Sequence, residues 1–222
     1  MADNAKDKDL ISRVQASAQK LRIAAMWSHG LSLKVADSFL LELYLLFMII
    51  EDFQKTYDVE YDPGLYPNKH VFPQSGAKKN TRPKFLIKDK ISKQTICQIC
   101  PGTRVQDMDG NDRAIDISFQ TATSPDSPTL QHLLQIFDAK YRKRPSKRLT
   151  SHEFSEFARW IDLFQLKSKS ASLTFNALSD LSAHCLVTNG EETTEVDAER
   201  NRRSVREIVK FHPKSVHRRR PP

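Results

Sequence analysis

The stretch LLQIFDAK, residues 133–140, decides the fold. Five residues, Leu133 to Phe137, make a run with only one polar member, short enough for a strand and preceded by the turn-rich Ser124–Pro128. The run ends on two charges one residue apart. Alternation along a strand sends Asp138 and Lys140 to one face and Ala139 to the other. Charged groups closing a buried strand are costly unless paired or put to use, because ions lose hydration there. This is the only D-x-K or E-x-K triplet in the chain. A triplet of that kind arises by composition about once in a chain of this length, so its placement carries the weight.

Upstream lies RAIDISFQT, residues 113–121, a second strand in which Asp116 stands between Ile115 and Ile117. Asp109-Gly110-Asn111-Asp112 before it is a hairpin turn, and joins it to an earlier strand, either Lys84–Lys88 or Thr95–Cys100. Asp126, in a Pro125-Asp126 dipeptide, competes with Asp116 as a second acid for the site. Asp116 is preferred because strands hold side chains more rigidly than proline-flanked loops.

Further upstream, Asp9–Ala25 reads as a first helix, broken by Gly30. A second, capped at Ser32 or Asp37, runs to about Tyr57 and is apolar on nearly every face, as a helix enclosed in a core should be. Glu42 is the lone acid between Phe39 and Ile50: either it lies on one wet edge of that helix, or it has a partner. Asp62–Pro83 is irregular, punctuated by Pro63, Gly64, Pro67, Pro73 and Gly76.

Downstream, Ser151 starts a helix with an acidic and an aromatic face. His184–Thr188 is a buried strand ending at Asn189-Gly190, and Asp197–Phe211 reads as a closing charged helix. The order helix, strands, helix, strand, helix gives an α/β or α+β sandwich around a mixed β-sheet flanked by helices. Residues 1–34 form an N-terminal helical extension, 35–212 the main domain and 213–222 a basic disordered tail.

The 222 residues are 39% hydrophobic and 28% charged, the balance of a globular domain. Phe39–Ile50 is too short to span a bilayer, and the polar N-terminus is no secretory signal, so a cytoplasmic, unanchored protein is expected. Three cysteines are too few for a disulfide framework. Cys97-x-x-Cys100 lacks a second ligand pair for zinc and sits where small thiols pack well. The histidines are scattered, and neither a phosphate-cradling G-x-x-x-x-G-K-[ST] loop nor a G-x-S-x-G elbow is present.

The net charge is +8, unevenly spread. Lys78–Lys93 carries seven cations against one acid, and Lys140–Arg148 six against none. Such segments mark a polyanion footprint when they are not simply solvated loops. The candidates for gripping phosphates are Lys78, Lys79, Arg82, Lys84, Arg142, Lys143, Arg144, Lys147 and Arg148.

Two carboxylates and a lysine on rigid strands are the minimum kit for metal-assisted phosphodiester hydrolysis, in which the ion activates water and the ammonium offsets developing charge. A helix bearing a conspicuous Glu, then an Asp, then a strand ending D-x-K resembles the PD-(D/E)XK, restriction-endonuclease-like nucleases. More narrowly, LLELYLLFMIIEDF (40–53) with IFDAKYR (136–142) is similar to McrC-like nuclease domains, and Leu186–Gly190 resembles the last core strand of this class. The resemblance implies a restriction-endonuclease-like core, Asp116 and Asp138 with the Ala139 carbonyl as metal ligands, Lys140 as the water-orienting cation and Glu42 as the helix carboxylate. The position before Asp116 is Ile115, not the proline of the signature. A Mg²⁺-dependent endodeoxyribonuclease (Mn²⁺ substituting) is therefore expected, serving restriction of foreign DNA or mobile-element processing. Its partners would be DNA and a second copy or a subunit supplying DNA recognition. The alternative is a catalytically inactive nucleic-acid-binding protein on the same scaffold.

Overall fold

The computed structural model describes residues 7–21, 36–64, 72, 76, 79, 83–167, 169, 173–194 and 205–214. Helix α1 (Lys8–Lys20) opens on Asp7, whose carboxylate accepts from the Leu10 N–H, with Asp9 in the first turn and Lys20 in the last. Each placement favours the helix dipole or its unpaired amides. Helix α2 (Asp37–Phe53) has no side-chain cap, and packing compensates. Leu40, Leu41, Leu43, Leu45, Leu46, Phe47, Ile49, Ile50 and Phe53 are all buried, because α1 covers one side of the helix and the sheet the other. Arg13 and Lys20 of α1 reach Glu51 of α2 at 3.3 and 2.8 Å and set the register of the two helices.

Seven strands form one sheet in chain order: β1 (Asp58–Asp62), β2 (Lys84–Lys88), β3 (Thr95–Gln106), β4 (Asp112–Thr121), β5 (Leu133–Lys140), β6 (His184–Thr188) and β7 (Val205–Ile208). Neighbours from β1 to β5 are antiparallel, while β5, β6 and β7 are parallel, so the sheet is mixed. The β3–β4 hairpin closes at Asp107–Asn111. There Asp107 accepts from the Asp109 and Asn111 amides and from Arg113 Nε, and Gly110 takes a left-handed φ of 81°. The parallel β5–β6 pair requires a crossover, and helix α3 (Ser151–Leu163) supplies it. A reciprocal box of Thr150 and Glu153 caps α3.

Each face of the sheet has its own apolar core. Ile117, Phe119, Phe137, Ala139, Cys185 and Val187 pack toward α2. Ile115, Ile136 and Leu186 pack toward Phe154, Phe157 and Ile161 of α3. The result is an α/β fold, a mixed sheet between helical layers. No helix among the described residues is long and apolar enough to cross a membrane.

Three expectations change. Both alternative strands before the hairpin exist, as β2 and β3, and Tyr57 lies beyond the end of α2. Asp58–Asp62, which follows that helix and takes in the start of the stretch expected to be irregular from Asp62, is strand β1. Its Val59 and Tyr61 meet the core while Asp58, Glu60 and Asp62 face lysines of β2 and the turn after it. The closing helix gives way to a strand over Val205–Ile208, because β6 offers an open parallel edge whose backbone groups need partners. The N-terminal helix shares the core of the main domain through Leu10 and Val14. Ser32, the 22–25 end of the first helix, Asp197, Lys78, Arg82 and the tail from 215 onward lie outside the described residues.

Candidate active site

Strands β4 and β5 pair from Leu133 to Phe137, the last matched residues being Ile117 and Phe137. Beyond that point they part. Asp112–Ile115 continues against β3, and Asp138–Lys140 continues against β6. A fork in a sheet leaves backbone donors without ladder partners, and side chains satisfy them. Here Asp116 does so: its Oδ2 accepts the Ala139 N–H at 2.9 Å, across the mouth of the fork. Asp138 and Lys140 share a face, as alternation requires, and Lys140 Nζ stands 2.8 Å from Asp138 Oδ2. The antiparallel-to-parallel switch thus falls beside the site, where side chains can converge without blocking a ladder.

The charges are unbalanced. Burial pushes the Asp116 carboxyl well above the usual aspartate range, and the charges of Asp138 and Glu42 and a hydrogen bond with Asp138 add to it. Glu42, reaching in from α2, is pushed from 4.5 to about 7, first by burial and then by Asp138, with Lys140 opposing. Burial works against the Lys140 ammonium, but the Asp138 carboxylate outweighs it and raises the lysine above its ordinary value, with Asp116 and Glu156 of α3 contributing. Three mutually repelling carboxylates therefore face one ammonium group. Like charges at close quarters favour either a retained proton or an added cation.

The donor set suits a hard divalent cation. Asp116 and Asp138 offer oxygen only, no thiol or imidazole is among the interacting groups, and an added cation would relieve the repulsion that lifts Asp116 and Glu42. Among the described residues no group of three or more His, Cys, Asp or Glu side chains is placed to hold a metal ion. Mg²⁺ does not need one, since it binds through one or two carboxylates and keeps several waters.

The other predicted residues scatter. Asp126 is exposed on the β4–β5 connection, away from any strand. Cys97 and Cys100 are buried and unpaired with each other, and burial raises both thiols. In the basic stretch before β3, the described lysines are mostly engaged by protein groups. Lys79 is buried with its ammonium 2.7 Å from the Ser124 carbonyl, which removes it from the expected phosphate-gripping set. Lys84 pairs with Asp62 at 2.7 Å, Lys88 with Glu60, and Lys93 with Asp58 at 3.1 Å, so Lys84 also serves the sheet. Arg142 bonds Glu153 and the Arg148 carbonyl, holding its own loop. Lys143, Arg144, Lys147 and Arg148 are exposed, on the loop that leaves Lys140.

Two contributors escaped the sequence reading. Glu156 acts on Lys140 from α3. Thr188 lies in register with Lys140 and donates to its carbonyl at 2.6 Å. Its signal was present, as a polar Thr-Asn-Gly ending an apolar strand. No protein family matches the chain, and neither does any curated protein or solved structure.

Proposed function

We propose that this chain is a Mg²⁺-dependent endodeoxyribonuclease with a restriction-endonuclease-like core, acting in defence against foreign DNA or in mobile-element processing. One observation carries the reading: Asp116 and Asp138, from neighbouring strands, meet at the fork of the sheet with Lys140 beside them and Glu42 within electrostatic reach. Asp116 and Asp138, with the Ala139 carbonyl, are the residues to hold the ion, and Glu42 the one to hold an ion-bound water. Mg²⁺ supplies charge neutralisation at the phosphate and a more acidic water. Lys140 keeps its proton, held by Asp138, and offsets the charge that develops on the phosphate oxygens. Glu42, whose burial favours its protonated form, is suited to take up the proton of the attacking water. The exposed Lys143, Arg144, Lys147 and Arg148 grip backbone phosphates, giving affinity without sequence choice. Cutting both strands takes two sites, hence a second copy or a partner nuclease.

The test is plasmid DNA incubated with purified protein in Mg²⁺ or Mn²⁺, against EDTA. Relaxation or linearisation in the metal arms only, lost in Asp138→Asn, is expected. Metal-independent binding with no nicking in any arm overturns the catalytic reading in favour of a binding protein.

A further inference from the structure

The site's cation and the basic loop that follows it are both fastened to the turn at the end of β6. Thr188 is buried, and its hydroxyl donates to the Lys140 carbonyl at 2.6 Å while accepting the Gly190 N–H at 3.0 Å. Asn189, also buried, holds both backbone groups of one residue. Its Oδ1 accepts the Arg142 N–H at 2.6 Å, and its Nδ2 donates to the Arg142 carbonyl at 2.8 Å. Gly190 lets the loop close down: a Cβ there would lie 2.2 Å from the Lys147 carbonyl oxygen and 2.7 Å from Arg142 Cγ. On the far side, Glu191 N–H donates to Lys147 O, and Leu149 N–H to Glu191 O, both at 3.0 Å. The turn itself is anchored to the strand beyond, through Lys210 N–H to Gly190 O at 2.9 Å.

We infer that Thr188, Asn189 and Gly190 are positioning residues for phosphodiester cleavage, a role that rests on the nuclease reading. Thr188 sets where the Lys140 backbone, and so its ammonium, stands relative to Asp138. Asn189 and Gly190 hold the 142–148 loop so that Lys143, Arg144, Lys147 and Arg148 form a fixed footprint for duplex backbone rather than a swinging tether. Rotamer-rich cations on an unfixed loop give up affinity in being ordered at each encounter, and a preorganised loop avoids that loss. The two halves of the turn thus govern separate quantities, turnover and phosphate contact.

The experiment separates them in the full chain. Thr188→Val, isosteric but without the hydroxyl, lowers kcat on plasmid DNA by about 10- to 100-fold with KM unchanged, the effect of a displaced reacting group, and Thr188→Ser restores it to within about twofold. Asn189→Ala weakens binding of a fluorescent duplex in EDTA. It also flattens the slope of log K against log salt by about 2, as expected if roughly two phosphate contacts are lost. If Asn189→Ala does not fold, Asn189→Asp, which keeps the acceptor and loses the donor, replaces it in the same titration. An unchanged salt slope in the Asn189 variant, or Thr188→Ser as impaired as Thr188→Val, overturns the inference while leaving the nuclease reading intact. Wild-type protein that neither cleaves nor binds duplex overturns both.

Discussion

Replacing Glu42 by glutamine should make the metal-free protein more stable, increasingly so as pH rises from 4.5 through about 7. In the folded chain burial and Asp138 raise Glu42 from 4.5 to about 7. The folded state therefore binds a proton more tightly than the unfolded state does. A raised carboxylate leaves the fold intact below pH 4.5, and stability falls as pH climbs from there through about 7. At about 1.36 kcal/mol per pH unit, the full interval corresponds to roughly 3 kcal/mol, and relaxation and water access reduce this to about 1–3 kcal/mol. Glutamine keeps the shape and removes the charge. For a domain of this size, about 1 kcal/mol moves Tm by about 2–4 °C, so Glu42→Gln should melt several degrees above wild type at pH 8 and together with it at pH 4. The assay is thermal unfolding by circular dichroism across that range in EDTA. Mg²⁺ added at pH 8 should raise the wild-type Tm more than that of the variant, since a ligand bound only by the folded state stabilises it by mass action. A variant that melts at or below wild type at pH 8, with an unchanged pH profile, refutes the idea that Glu42 faces the Asp116–Asp138 pair.

Other outcomes follow from the same geometry. Asp138→Asn and Lys140→Met should each lower kcat by at least about 100-fold, measured by plasmid nicking, with Asp138→Asn folding normally by near-ultraviolet dichroism. Lys88→Gln should leave duplex affinity unchanged in a fluorescence titration because that lysine faces Glu60 of β1, whereas Arg144→Gln with Lys147→Gln should weaken it and lower its salt dependence. Phe53→Ala, which empties a buried site ringed by Tyr57, Phe119 and Phe175, should cost about 3–5 kcal/mol in urea unfolding. Cys97 and Cys100 should stay unreactive to a thiol reagent until the chain is denatured, since both are buried and burial disfavours the thiolate.

Much of the fold was legible because its signals were local. LLQIFDAK, the Asp109–Asp112 turn, the apolar helix over 37–53 and the aromatic face of 151–163 each announce an element without reference to the rest of the chain. What was missed fell where tertiary context decides. Asp58–Asp62 carries three acids in five residues, poor strand composition in isolation, and becomes a strand because Lys84, Lys88 and Lys93 stand opposite those acids. Residues 205–211 have helical charge spacing, but β6 ends in an unpaired edge, and a segment holding Val205 and Ile208 completes it.

The site divides along the same line, and for a reason that concerns charge in general. Asp138 and Lys140 were legible because alternation along one strand fixes their common face whatever surrounds it, and Asp116 because an acid inside an apolar strand must answer to something nearby. The basic segments were not, because a cation's availability depends on where the acids are, and those acids lie 22 to 35 residues away in sequence. Two lysine- and arginine-rich stretches of similar density therefore meet opposite fates. In the one before β3, Lys84, Lys88 and Lys93 are spent on β1 acids, and Lys79 and Lys90 on backbone carbonyls. In the one after β5, Glu153 ties down Arg142, and Lys143, Arg144, Lys147 and Arg148 are exposed on the loop that starts at the site's own lysine. A cation-rich segment is a candidate polyanion contact only after the acids in register with it have been subtracted, and among the described residues that subtraction leaves Arg144, Lys147 and Arg148 on the loop beside Lys140.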